Sequence, residues 1–545
     1  MTLPFTKRTR RALGLLLVAA PAVGLAACTD LSVDPFSSVN PENFYQTDAE
    51  VLAALSPVYS QLRTTLWEYH NLSQVSSDET IVPTRGSDWA DGGRWLSMHR
   101  QNWSPTLTDL NGAWVQSFTG IARANGIIAD LGGIDVPNED ALVAEARALR
   151  AFYYYTLLDL FGRVPILAPP PGADPSEFIV DPDNPPAQAS RAEVFDFVVS
   201  ELEAARSALP VAGAGNGGRF SQGAVDAILA NLYLNAPVFR GTVTAGGLQR
   251  GEPAWAEAEA AATRVIDGPY ELVQGIDAWL GMFTASNENN PEHIFVVQHL
   301  AENGFGLSFP NRGLHYNSFV GGAWNGFSTI AETYNAFDEE DPRIRIFAIG
   351  QAFNYDQCDP VLDPDTCGPD AAIDNRSNEP LIFTLDFPGG VENTTEGAGV
   401  RVVKFPPDPD YTPADNGNHG NDYPYFRLGE MYLIRAEARL EQGNTAGALA
   451  DLNAVRERVG AEPLGSIDRT AILNERLFEL TYEARRRQDL IRADPSVTTF
   501  GGGTGNLFTR AWSFKPASEP YRVLFPIPQQ QIDASDGTLT QNAGY

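Results

Sequence analysis

The 545-residue sequence predicts a mainly α protein: a scaffold of tetratricopeptide-like helix pairs, with long irregular loops and a few short β-strands. Two observations carry this. Apolar residues recur at helical spacing in segments towards both ends of the chain. Near the C-terminus an alanine-rich pair turns on Gly443-Asn444, the local signature of tetratricopeptide-like units, although no clean repeat of about 34 residues runs through the chain.

In order, Asn111 to Leu131 places Trp114, Phe118, Ile121 and Ile128 on one face. Leu142 to Phe161 does the same with Leu142, Ala146, Leu149, Tyr153 and Leu157, and Gly162 and Pro165 supply the stop. A Pro-rich stretch from Ala168 to Pro186 reads as an extended linker. Helices resume at Arg191 to Leu209, Gln222 to Phe239 and Ala254 to Ile266. From about Asp267 to Pro424 the pattern loosens into Gly, Asn, Asp and aromatic loops, with short β runs such as HIFVVQHL and VRVVKF. The C-terminal pair is striped first by Tyr425, Leu428, Tyr432, Ala436 and Leu440, then by Leu449, Leu452, Val455 and Val459.

With 43% apolar and 20% charged residues the chain can bury a sizeable core. Thirty-eight basic against 69 acidic residues give a net charge of −31, and only Lys7, Lys404 and Lys515 are lysines. Such a surface repels polyanions, so nucleic acid is not an expected partner.

At the N-terminus Lys7, Arg8, Arg10 and Arg11 precede an uncharged run from Ala12 to Ala27, too short for a membrane span and the length of a signal h-region. It ends Leu25-Ala26-Ala27-Cys28, a lipobox, so residues 1–27 read as a signal peptide and Cys28 as the lipidated residue that anchors the chain to a membrane. Removing the signal leaves 34 basic residues against 69 acidic, a mature charge of −35. Residues 28–45 are a polar tether. Outside the cytoplasm, Cys358 and Cys367 are expected to pair as a disulfide closing a small Asp- and Pro-rich loop. That loop holds Asp363, Asp365 and Gly368, a fragment of a calcium pattern, but the third ligand position is Cys367 and no glutamate closes it. No metal is expected.

Six stretches, in order, resemble the SusD/RagB family: EARALRAFYYYTLLDLFGRVPI (Glu145 to Ile166), GGRFSQGAVDAILANLYL (Gly217 to Leu234), YPYFRLGEMYLIRAEA (Tyr423 to Ala438), LNAVRERVG (Leu452 to Gly460), the helical stretch NERLFELTYEARRRQDLIR (Asn474 to Arg492), and the ending LFPIPQQQIDASDGTLTQNAGY. One departure is that the family's Gly-x-Arg-Trp-x-Asp-Leu is Ala484-Arg485-Arg486-Arg487-Gln488-Asp489-Leu490 here. The resemblance implies a single SusD-like domain over 46–545, with a helical part to about 266, a loop-rich ligand-facing part to about 424 and a C-terminal helical part. It also implies a lipoprotein of the cell outer membrane, facing the exterior, without cofactor or catalytic residues. Such a protein captures a glycan or oligosaccharide and hands it to a SusC-like TonB-dependent outer-membrane transporter. The alternatives are a surface glycoside hydrolase on a helical scaffold, with its carboxylate pair hidden among 69 acids, and a peptide-binding or assembly lipoprotein.

Read from the residues alone, enzyme motifs are thin. Gly213-x-Gly215-x-x-Gly218 has no strand before it and reads as a loop, and His293 and His299 lack the further ligands of a zinc site. Aromatic residues are the better lead. Trp114 lies in a helical stripe and reads as core, and Trp67 is open to the same reading. Trp89 and Trp95 lie in TRGSDWADGGRW, a loop too polar and Gly-rich to bury them well, and Trp324 and Tyr316 have similar settings. Rings held out by a scaffold can stack on the apolar face of a pyranose while Asp78 and Arg85 bind hydroxyls. The expected ligand contacts are therefore Trp89, Trp95, Trp324, Tyr316, Asp78 and Arg85.

Overall fold

The computed structural model describes residues 47–131, 138–169, 186–212, 218–319, 321–356, 372–374, 376–493 and 506–545. Cys28, Cys358, Cys367 and most of the Pro-rich stretch lie outside them.

The chain is mostly helical, as the periodicity predicts. The longest helix, α1 (Asp48–Val75), does not stand out in the sequence, because Pro57 falls inside it and its stripe is broken by polar residues. The Thr47 hydroxyl caps it by accepting from the Glu50 amide. Helix α2 (Thr108–Leu131) runs antiparallel to it, with Arg123 bonding the Pro57 carbonyl and Gln116 bonding Gln61, and α3 (Glu139–Leu160) packs on α2 and touches α1 through Tyr59–Glu145 and Tyr69–Asp159. Gly120 lets α2 and α3 approach closely, since a Cβ there would lie 2.4 Å from the Tyr153 ring. α4 (Arg191–Arg206) opens on a Ser190/Glu193 capping box and packs on α3. α5 (Gln222–Leu234) and α6 (Trp255–Ile266) form the next pair. The helix expected to run to Phe239 breaks at Asn235, and a short turn, Ala236–Phe239, carries Pro237.

The predicted C-terminal pair is present as α7 (Leu428–Glu441) and α8 (Thr445–Glu457). Gly443 between them takes φ 82°, and the Asn444 side chain caps α8 by accepting from the Gly447 amide. Tyr425, read as part of the first helical stripe, belongs instead to an extended segment, Tyr423–Arg427, which pairs antiparallel with His293–Val297. Asn474 to Arg492 is likewise not one helix. It divides into α9 (Arg469–Leu480) and α10 (Arg486–Arg492), and between them Tyr482 and Ala484 take φ 66° and 56°. Where the family pattern has glycine, this chain holds a left-handed alanine.

One apolar cluster runs from Leu55 to Ile527 and joins the helices of both ends. The loop-rich middle rests on the C-terminal helices through buried ion pairs. Arg427 reaches Glu292, Glu479 and Glu483, and Arg343 reaches Asp341, Glu475 and Glu479. A buried arginine with several carboxylates is costly to break, by roughly 3–5 kcal/mol for loss of one partner. This fixes the position of the loops that carry the site.

Candidate ligand-binding site

The segments 81–95 and 311–328, far apart in sequence, meet through paired backbone at Ile81 and Ser328, whose amides and carbonyls bond each other at 2.8 and 2.9 Å. Beneath them lie two buried arginines. Arg85 donates to the carbonyls of Asn325 (2.7 Å), Gly326 (2.9 Å) and Ala398 (2.8 Å) and to the Ser328 hydroxyl (2.9 Å). Arg401 donates to the same Ser328 hydroxyl, to the Asn325 side-chain oxygen (2.8 Å) and to the Glu396 carbonyl (2.8 Å). Loop carbonyls that a helix or sheet would otherwise satisfy are satisfied here by guanidinium groups, and the loop is rigid for that reason.

On this base the aromatic residues converge. Trp89, at φ 61°, donates its indole N–H to the Trp324 carbonyl at 2.6 Å. Its ring lies edge-on to Trp95 and to Phe327, with centroids at 5.3 and 5.8 Å. Gly326 is required beneath it, because a Cβ at that position would lie 2.3 Å from the indole. Trp324 and Trp89 are each partly exposed. Tyr316 stands beside them, its hydroxyl donating to Asp88 Oδ2. Burial and the Asp88 carboxylate push that hydroxyl up, so it stays protonated and can donate. Asp88 also faces the Arg376 guanidinium at 3.4 Å, and Arg376 in turn bonds Glu396 (2.8 Å) and the Arg85 carbonyl (2.7 Å).

Three expectations need correction. Trp95 is not a loop aromatic. It lies in a short helix, Arg94–His99, 2% exposed, with its N–H bonded to Asp91 and the Arg94 guanidinium over its ring at 4.3 Å. Glycines 92 and 93, read as loop formers, make the tight turn that starts this helix. Arg85 is fully buried with both terminal nitrogens bonded to the loop, so it holds the site up and does not reach a ligand hydroxyl at the surface. Asp78 is buried too, far from Arg85 in its bonding: it accepts from Arg486 (2.7 and 3.0 Å) and Arg510 (3.2 Å), and these neighbours hold its carboxyl below the usual range despite burial. Asp78 pins the 78–80 segment to α10.

The polar groups that do reach the surface, Asp88 and Arg376, escaped the sequence reading. Asp88 immediately precedes Trp89, a signal that could have been used. Arg376 had none, since only the fold brings it within reach. Trp114 is buried against Phe118 and Phe161, as its stripe predicts. Trp67 is 37% exposed and so is not core.

What the surface offers is a pair of partly exposed indoles with a tyrosine hydroxyl, a carboxylate and a guanidinium at their edge. Such a set can receive an apolar ring face and bond hydroxyls around its rim.

Two family models match. One, described as the SusD family, covers residues 291–545, and the other, described as starch-binding associating with outer membrane, covers residues 38–234. The chain belongs to the SusD/RagB family. SusD-like protein P25 of Formosa agariphila is 25% identical over 94% of this chain and 95% of its own length. The starch-binding protein SusD of Bacteroides thetaiotaomicron is 24% identical over 87% and 85%. Among solved structures, a laminarin-binding SusD-like protein superposes with a TM-score of 0.67 at 25% identity, covering 92% of this chain and all of its own. Surface glycan-binding protein A of Bacteroides thetaiotaomicron, in complex with laminarihexaose, gives 0.66 at 21% identity, covering 91% of this SusD-like chain, and shares the fold. The helical scaffold, the paired strands of the loop-rich middle and the C-terminal pair are thus those of a SusD-like protein.

Proposed function

We propose that this SusD-like protein captures a glycan or oligosaccharide at the Trp89–Trp324 face and passes it to a SusC-like TonB-dependent transporter in the outer membrane. The observation that carries the reading is the Trp89–Trp324 pair, two partly exposed tryptophans whose loops are joined by the Trp89 indole bonding the Trp324 carbonyl and propped by buried arginines. Rigid rings lose little freedom on binding, so their stacking energy is kept. The family's description, starch-binding associating with outer membrane, and relatives named for starch and laminarin support a sugar as the ligand. The chain is a binding protein and not an enzyme: the relatives above are named for binding. Anchoring at Cys28 and an outward-facing body fit the lipobox and the acidic mature charge.

A calorimetric titration against a panel of soluble glycans, with the products analysed afterwards, tests the binding step. Saturable heat with intact glycan is the expected result, and shorter products would turn the reading into that of a hydrolase. The delivery step predicts a large β-barrel co-purifying in mild detergent. Isolation as a solitary lipoprotein, with the barrel gene expressed, would count against it.

A further inference from the structure

We propose that the Trp89–Trp324 site is built for an acidic glycan, one that carries carboxylate or sulfate groups on its sugar rings, and that Arg376 is the residue that meets the anion. This rests on the glycan reading and names the class of glycan.

The chain as a whole is acidic, with 69 acidic residues against 38 basic. Most of its buried arginines meet a carboxylate, as Arg343 and Arg427 do. Among the described residues four buried arginines have no carboxylate within ion-pair distance. One, Arg191, begins α4, and the other three, Arg85, Arg312 and Arg401, hold up the loop that carries Trp324. Arg85 and Arg401 direct their donors to carbonyls and side chains of the loop, which leaves their positive charge in place. Arg312 lies 3.7 Å from the Trp67 ring centroid, and its carbonyl accepts from the amides of Gly326 (2.8 Å) and Phe327 (2.7 Å). One of its terminal nitrogens has no hydrogen-bond partner among the described residues. Burial pushes all three guanidinium pKa values down, as charge without a counterion requires, and Arg85 pushes that of Arg401 further. Arg85 is held at about 9 and Arg312 at about 10, so both remain cations at neutral pH.

The carboxylates nearby do not cancel this charge. Asp88 and Glu396 stand against Arg85, Arg376 and Arg401, and His315, which bonds Glu396 at 2.8 Å, is kept neutral by burial. Beside Arg312, burial and Asp109 raise the Glu68 carboxyl to about 7, so it carries only part of a charge, and Asp109 is paired with Arg94 at 3.5 Å. The acidic surface elsewhere is screened beyond about 8 Å at physiological salt, whereas buried charges are screened much less. The Trp89–Trp324 face therefore presents a positive field on an acidic protein.

Arg376 brings a cation to the surface of that field. Its Nε is held by the Glu396 carboxylate at 2.8 Å and its Nη2 by the Arg85 carbonyl at 2.7 Å. The guanidinium lies along Gly86, where a Cβ would come within 3.2 Å of it. Fixed on two edges, it keeps Nη1 without a hydrogen-bond partner among the described residues, and the side chain is 43% exposed. The exposed Asp88 carboxylate, at 3.4 Å, is a weak partner for it. A planar fork oriented in this way suits a carboxylate or sulfate oxygen. A neutral sugar would use the donor and leave the buried cations without a counterion, whereas an anion on the ring answers both.

The test is calorimetric affinity of the mature chain for oligogalacturonate, glucuronoxylan oligosaccharides and a sulfated galactan oligosaccharide. Each is paired with its carboxyl-reduced or desulfated counterpart, at low and high salt, and the variants are Arg376→Gln, Arg376→Lys and Asp88→Asn. An acidic probe should bind about tenfold more tightly than its neutral counterpart, with a gap that narrows as salt rises. Arg376→Gln should remove most of the gap, Arg376→Lys should keep part of it, and Asp88→Asn should widen it. A gap confined to the uronate probes assigns the anion as a carboxylate, and one confined to the galactan assigns it as a sulfate. Neutral counterparts that bind as well as the acidic probes, or a gap that Arg376→Gln leaves intact, overturn the proposal while the glycan reading stands. So does a parent that binds neutral glycans and none of the acidic ones. A parent that binds no glycan of either kind removes the glycan reading and the proposal together.

Discussion

The indole N–H of Trp89 donates to the backbone carbonyl of Trp324 at 2.6 Å, joining two loops 235 residues apart in the chain. The bond holds the Trp89 indole against the Trp324 backbone, so the Trp89 ring takes its pose from the other loop. The site is a property of the contact between them.

Trp89→Ala and Trp324→Ala are expected to weaken glycan binding by about 1–3 kcal/mol with little change in melting temperature, because partly exposed rings carry binding energy more than core energy. Trp95→Ala and Trp114→Ala should do the reverse. Both are buried, and removing either leaves a cavity costing roughly 3–5 kcal/mol of stability. Melting and titration of the four variants side by side separate the classes. Early melting with normal binding in the first two would mark them as packing residues.

Arg85→Met should reduce binding without touching the ligand. Arg401 still reaches the Ser328 hydroxyl and the Ala398 carbonyl, but the carbonyls of Asn325 and Gly326 lose their guanidinium donor, at about 1–3 kcal/mol each where water cannot enter. The expected signature is a loosened 324–328 loop, read as faster amide hydrogen exchange there, together with weaker affinity. Unchanged exchange would show that Arg401 alone suffices.

Ala484→Gly should stabilise the protein. A left-handed alanine costs about 1–2 kcal/mol, and the entropy lost by glycine returns part of that, so a net gain of about 0.5–1 kcal/mol is expected. A higher denaturant midpoint with an unchanged slope is the predicted observation, and a lower midpoint would show that the buried methyl outweighs the strain.

Burial raises the Glu79 carboxyl to about 7 from its ordinary 4.5, opposed by bonds from Gln74 and Tyr482 and by Arg486. The folded state thus holds this proton more tightly than the unfolded chain. Its contribution, about 3 kcal/mol, is fully present below about pH 4.5 and is lost as pH rises through about 7. Glu79→Gln removes the titration, so the stability of the variant relative to the parent should climb between pH 4.5 and 8 in urea unfolding. A flat difference across that window would rule out the raised carboxyl.

Cys28→Ser should abolish incorporation of labelled palmitate and leave the precursor unprocessed. Label persisting in the variant would mean that the anchor lies elsewhere.

Local chemistry made much of this protein legible in advance. Helical stripes such as Leu142 to Leu157, the Gly443-Asn444 turn and the run ending at Cys28 are written in residues close together in the chain, so the helix pairs, the core role of Trp114 and the family could be read from them. Trp89, Trp324 and Tyr316 could be picked out as aromatics in polar loops. Their meeting could not, because it depends on Ile81 pairing with Ser328 and on Arg85 reaching carbonyls some 240 residues away. The same long-range packing decided the fate of similar neighbours. Trp95 turned inward because two glycines start a helix there, Asp78 was taken by Arg486, and Trp67 was left in water on a helix whose other face is core. Sequence spacing sets which side chains share a face of an element, but which face is covered depends on what the rest of the chain brings against it.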